Sequence, residues 1–188
     1  MRWSGNAESL AKASRGRRLF VCPALACAGG LLAGDAAATS VDLGASAGGF
    51  LAGSIPRFSV SPYLTLSVPV GGDNFSVGLN EMASLLIAAG KYGSGFYNNL
   101  TAFGAVTWKD GKLIAGPALA FFMMPACGPS WCSNLRGFGA GGSVRVDLFQ
   151  KPLGVSFGCN VDVPLKSTTL LPQGPALMFF AGGTMRLM

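Results

Sequence analysis

The constraint that most limits this chain's fold is the hairpin written into residues 100–122, LTAFGAVTWKDGKLIAGPALAFF. Asp110-Gly111 is a two-residue turn signal, because the central positions of a tight hairpin turn favour residues that reach positive φ cheaply. Folding the chain there sets Trp108 against Leu113, Val106 against Ala115, Gly104 against Pro117, Ala102 against Leu119 and Leu100 against Phe121. That face is apolar along its length. The opposite face sets Asn99, Thr101, Phe103, Ala105 and Thr107 against Phe122, Ala120, Ala118, Gly116 and Ile114, and is smaller and more mixed. Each arm is about ten residues, the length a tilted strand needs to cross the hydrocarbon of a bilayer.

The same period-two alternation recurs from Thr39 onward and predicts six further strands. Strand one, near 39–49, alternates Val41, Leu43, Ala45 and Ala47 with Asp42, Gly44, Ser46 and Gly48. Strand two, near 57–69, alternates Phe58, Val60, Leu64, Leu66 and Val68 with Arg57, Ser59, Tyr63, Thr65 and Ser67, with Pro62 costing a ladder donor. Strand three opens with Phe75, Val77 and Leu79. Beyond Asn80 its phase is ambiguous, because strict alternation puts Glu81 on the apolar face. A bulge near 80–82 would turn Glu81 to the polar face, and a short helix over 80–90 is the rival reading. Strands six, seven and eight, near 136–149, 154–164 and 175–187, carry Arg145, Asp147, Asp162 and Arg186 on their polar faces. Gly116–Phe122 (GPALAFF) is echoed by Gly174–Phe180 (GPALMFF) with the same phase.

Alternation alone does not say which face meets solvent. A soluble barrel would stud its polar face with Lys and Glu. Here charged residues are 12% of the chain and half the chain is hydrophobic. The polar faces carry Ser, Thr, Gly and Asn with a few ions, which suits a narrow lumen. The expected lumen cluster is Asp42, Glu81, Arg145, Asp147, Asp162 and Arg186, with Arg57 on the same face. Turns after strands two, four and six are short. Longer connections are expected around 50–56, 88–97, 124–135 and 165–174. Phe75, Trp108 and Phe149 flank the short turns, and Tyr92, Phe96 and Tyr97 lie near the other rim, where interfacial aromatic girdles would stand.

On this pattern residues 39–188 resemble the small eight-stranded outer-membrane barrels of the OmpA/OmpX-like group. The resemblance implies an all-β fold, an eight-stranded antiparallel up-and-down transmembrane β-barrel. It also implies a Gram-negative outer membrane, contact with its lipid and lipopolysaccharide, and insertion by the barrel-assembly machinery. The chain departs from the group at its end, Arg186-Leu187-Met188, where such proteins commonly place an aromatic residue.

Residues 1–38 read as a signal peptide. Arg15, Arg17 and Arg18 precede an apolar run from Leu19 to Ala33, and Ala36-Ala37-Ala38 supplies a small-residue cleavage site near Ala38. Five of the 14 Lys and Arg residues lie in this leader, so the net charge of +6 is no argument for nucleic acid. Cys127 and Cys132 bracket a short polar sequence and are expected to form a disulfide in an oxidising compartment. Cys159 sits on an apolar face as a small hydrophobe.

The chemistry of the chain excludes more than it assigns. There is no histidine, so a base near neutral pH would need a strongly shifted carboxylate or lysine. Glu81, Asp147 and Asp162 are the candidates inside the barrel, and pairing with Arg145 and Arg186 accounts for them without catalysis. No catalytic residue, cofactor or metal is expected, and no external ligand is named. Gly137–Gly142 lacks the strand–loop–helix setting and following Lys-Ser/Thr of a phosphate loop. Three functions fit: a non-enzymatic barrel with a structural or surface-interaction role, a narrow conduit for small apolar molecules, or a soluble lipocalin-like binder with its apolar face inward.

Overall fold

The computed structural model describes residues 40–52, 55–70, 74–88, 93–127, 132–150, 152–165 and 175–187. At 55, 125–127, 132–135 and 150 it describes the backbone only. The leader, with the expected cleavage near Ala38, lies outside the described residues. So do Tyr92 and the side chains of Cys127 and Cys132.

Eight strands form, in chain order β1 (Ser40–Ala52), β2 (Ile55–Pro69), β3 (Phe75–Ile87), β4 (Gly95–Trp108), β5 (Gly111–Cys127), β6 (Cys132–Gln150), β7 (Leu153–Pro164) and β8 (Ala176–Arg186). Each pairs antiparallel with its neighbours, and β1 pairs with β8, so the sheet closes as an up-and-down barrel. Closure leaves no strand edge to be satisfied by water, which is what a spanning sheet requires. Connections 70–74, 109–110 and 151–152 share the near end of the barrel with the start of β1 and the end of β8. A ring of main-chain bonds ties that end together: Thr107 N to Asn74 O, Phe149 N to Asp110 O, Arg186 N to Pro152 O and Leu187 N to Val41 O, at 2.8, 2.9, 3.0 and 2.9 Å.

The alternation resolves into two surfaces. Outward side chains include Leu43, Phe58, Leu79, Val106, Leu119, Phe138, Phe157 and Phe179, all exposed. Inward positions hold Ser, Thr, Asn, Gly and the ions. The arrangement with the apolar face inward is not the one adopted.

Four expectations are corrected. The β4–β5 hairpin turns at Lys109-Asp110, pairing Trp108 with Gly111, Val106 with Leu113 and Leu100 with Leu119. That is a slip of two residues from the expected register, and because the side-chain period is two, every residue keeps its face. Gly111 does not supply positive φ; among the described residues only Gly93 does, at 63°. Gly111 instead makes room for the Trp108 indole, into which a Cβ would run.

Second, neither a bulge nor a helix interrupts β3. Its register with β2 is constant from Phe58↔Ile87 to Pro69↔Ser76, so strict alternation holds and Glu81 faces outward. Pro62 breaks the ladder beside it, and Ser61 Oγ bridges the gap to Ser84 Oγ at 2.8 Å.

Third, the first and third far-end connections shrink to 53–54 and 128–131, because hairpin pairing continues past the length a bilayer needs; β5 and β6 run 17 and 19 residues. The connections 88–94 and 165–175 remain long. Fourth, two of the expected girdle aromatics, Tyr97 and Phe149, point inward. Tyr97 shares the parity of Asn99 and Thr101, and Phe149 that of Arg145 and Asp147. Phe75 and Trp108 are exposed on the outside, and Phe96 is half-buried there.

A barrel this narrow bends its strands hard, and inward glycines stand where they bend. A Cβ on Gly48 would overlap the Phe179 carbonyl and Phe180 Cα, and one on Gly141 the Val161 carbonyl. Outward Gly49 has nothing within 4 Å of its Cβ position. Gly48→Ala is therefore expected to destabilise by about 1–3 kcal/mol, and Gly49→Ala to stay within about 0.5 kcal/mol of wild type, read from urea midpoints of the micelle-folded protein.

Candidate functional site: the filled lumen

The polar faces of all eight strands meet in the lumen, where small residues leave space for a few long ones. At the near end Asp42, on β1, accepts from two cations. Arg186 Nε, on β8, lies 3.1 Å from its Oδ1, and Lys112 Nζ, on β5, lies 3.3 Å from its Oδ2. Asp42 and Arg186 are also register partners across the β1–β8 seam. Lys112 donates further to Ser67 Oγ at 3.0 Å and stands over the Phe103 ring. The Arg186 guanidinium lies over Phe149, 4.3 Å from the ring centroid. Parity turns Phe149 inward, and there its ring face meets this cation. A mouth of about 210 Å³, lined by Ser40, Ser67, Ser76, Thr107, Lys112 and Arg186, opens at this end.

One layer deeper, Arg145 organises the centre. Its Nε lies 2.9 Å from Asp147 Oδ1, and its Nη2 donates to Asp147 Oδ2 at 3.1 Å. Nη1 donates to Asn80 Oδ1 at 2.7 Å and Nη2 to Thr65 Oγ1 at 2.8 Å. The guanidinium lies 4.5 Å from the centroid of the Tyr63 ring, whose hydroxyl is 2.6 Å from Ser156 Oγ. Its five donors in a fixed planar fork bind strands β2, β3 and β6 at once.

Toward the far end the filling turns apolar. Phe50, Leu86, Phe122, Met124, Met178 and Phe180 are buried together, with Tyr97 tilted against Phe50 at 5.2 Å. Within this layer Tyr97 Oη donates to Asp162 Oδ2 at 2.5 Å, and Asn99 Nδ2 donates to Tyr97 Oη at 3.0 Å. Arg57 is buried at the same end.

Of the expected lumen cluster, Asp42, Arg145, Asp147 and Asp162 are fully buried, and Arg186 closes the near mouth. They form three separate groups rather than one. Glu81 is not among them; it lies on the exterior, where Asn98 Nδ2 donates to its Oε1 at 3.2 Å. Lys112 belongs to the lumen and was missed, because the turn reading stopped the strand phase at Ile114. One more residue of the same parity would have reached it. Cys127 and Cys132 are register partners at the end of the β5–β6 hairpin, and Cys159 is free. Among the described residues no three acidic, Cys or His side chains gather as a metal site.

Breaking a buried pair leaves its survivor uncompensated, whereas removing both partners does not. Arg145→Met and Asp147→Leu are each expected to cost about 3–5 kcal/mol of stability in urea titrations. The double variant should lose clearly less than their sum, and additive losses would contradict the coupling.

No protein-family model matches the chain, and no curated protein matches it. Solved structures do. The N-terminal β-barrel domain of Pseudomonas aeruginosa OprF superposes with a TM-score of 0.54 at 10% identity, covering 79% of this chain and 97% of that one. Neisserial surface protein A (NspA) gives 0.53 at 12% identity, covering 78% and 96%. Ail, the attachment invasion locus protein of Yersinia pestis, solved with the heparin analogue sucrose octasulfate, gives 0.52 at 7% identity, covering 79% and 97%. Identities this low speak for the fold alone. The chain has the fold of the small eight-stranded outer-membrane β-barrels.

Proposed function

We propose that this chain is an outer-membrane protein with a structural or surface-interaction role, and that it neither turns over a substrate nor conducts solutes. The observation that carries the reading is the two-sided wall, with apolar side chains outward on all eight strands and a lumen packed with side chains inside. An exterior of this kind is stable against lipid and unstable against water.

The lumen offers little to catalysis. Asp42 and Asp147 are held by cations, and Asp162 accepts from Tyr97 and Asn99. A conduit is disfavoured by the Arg145 layer and by the apolar filling beyond it, since eight strands leave room only for side chains. In this reading the near end faces the periplasm and the connections 53–54, 88–94, 128–131 and 165–175 face outside. The wall meets lipid and lipopolysaccharide, the assembly machinery inserts it, and the leader is removed near Ala38. Cys127 and Cys132 pair under oxidising conditions. The likeness to a neisserial surface protein and to an attachment protein supports surface interaction, with the ligand left to the loops.

Expressed with its leader in a Gram-negative host, the protein is expected in the outer-membrane fraction, with different gel mobility before and after boiling. In planar bilayers it should give no discrete conductance steps. A soluble periplasmic product without a mobility shift would overturn the membrane reading, and regular steps would overturn the closed lumen.

A further inference from the structure

The near half of the lumen holds more positive charge than its own carboxylates balance. Among the described residues its cations are Lys112, Arg145 and Arg186, and its carboxylates are Asp42 and Asp147. Asp147 is taken by Arg145, so Asp42 alone is divided between Lys112 and Arg186. Lys112 and Asp42 are both fully buried, and a surplus charge in such a setting is costly unless something pairs with it. Lys109 and Asp110, exposed in the turn at this end, offset each other.

Unused donors gather at the same opening. Arg186 meets Asp42 through Nε, and among the described residues its Nη1 and Nη2 take no hydrogen bond. Its side chain keeps 26% of its surface exposed, so a solute can reach it. Ser76 on β3 and Thr107 on β4 line the mouth half-buried, and neither hydroxyl is used in a side-chain hydrogen bond among the described residues. Lys112 donates to Ser67 Oγ, which stands 2.6 Å from Ser40 Oγ. Ser67 can then donate to Ser40, which frees the Ser40 hydroxyl to donate into the opening.

We infer that this mouth is a binding site for a small phosphate-like oxyanion, held by Arg186 with Ser76, Thr107 and Ser40, while Lys112 supplies charge from within. The two terminal nitrogens of a guanidinium match two oxygens of one such ion, and hydroxyl donors reach the others. One negative charge balances the surplus, and the opening, about 210 Å³, admits the ion with water around it. The lining side chains all point into the ring of strands, so the ion comes from solution rather than from lipid headgroups outside the wall. The site needs the closed lumen and holds for either orientation of the barrel.

The test is equilibrium binding of radiolabelled inorganic phosphate to the full chain, folded in a neutral alkyl-glycoside detergent near neutral pH, with ionic strength held constant by chloride. The wild type should bind one phosphate per barrel, saturably. Arg186→Gln should weaken binding by about tenfold or more. That change also loosens the β1–β8 seam, so Thr107→Val supplies a variant with the seam intact. It should keep the boiled-versus-unboiled mobility shift and weaken binding by about threefold to tenfold. A folded wild type without saturable binding overturns the site, and so does binding that neither substitution weakens. In bilayers of phosphatidylcholine the phosphate affinity should stay the same as phosphatidylglycerol is added. Its loss would place a headgroup in the mouth and overturn the assignment to a free ion.

Discussion

The ion pair between Asp42 and Arg186 sits where the first strand meets the last, and the rest of the barrel depends on that seam. Seven of the eight strand pairings join neighbours in sequence; the β1–β8 pairing must be made across the whole chain. Without it the sheet keeps two open edges, and in hydrocarbon each unpaired main-chain group costs several kcal/mol. Asp42 does more than pin the seam. Its second oxygen holds Lys112 from the far wall, so one carboxylate links β1, β5 and β8 across the lumen. Burial of these charges is tolerable because they meet, and it makes an open or misregistered seam costly.

Closing eight strands fixes the interior volume, and two solutions fill it. Near the seam ions and the hydroxyls of Ser67, Thr65 and Ser156 do so, with Arg145 lying against Tyr63. Toward the far end Phe50, Phe122, Met178 and Phe180 do so. Bending the wall tightly enough is the task of inward glycines such as Gly48, Gly141 and Gly182, where a Cβ would strike the adjacent backbone. The outer wall is then largely apolar, with Glu81, Asn98 and Arg136 among its polar side chains.

The eight strands and their phase were legible because alternation of period two survives almost without interruption, and phase is what decides inside from outside. Register was less legible. The slip of the β4–β5 hairpin came from assigning Gly111 to the turn on its conformational freedom, when the Trp108 ring required it for space. Glu81 was misplaced by an argument from cost: a bulge was invoked to avoid a carboxyl on the apolar face, and the chain accepts that carboxyl with Asn98 beside it. Tyr97 and Phe149 were read by residue type as girdle aromatics, although parity put both inside. Of the expected ion pairs, Asp147 with Arg145 forms between neighbours on one strand face, while Asp162 meets Tyr97 and Asn99 instead of an arginine. Partners such as Lys112 with Asp42 and Arg145 with Asn80 were not legible, because they join strands distant in sequence.

The most direct test of the two-sided wall is a spin-label scan of β7. Single cysteines at each position from Val155 to Val163, in a chain whose other cysteines are replaced, would be labelled in bilayers and probed with oxygen and with a water-soluble relaxation reagent. The account predicts that positions 155, 157, 159, 161 and 163 are open to oxygen in the lipid, and that 156, 158, 160 and 162 are shielded from both. Water-soluble reagent reaching the second set, with the first set shielded, would contradict it.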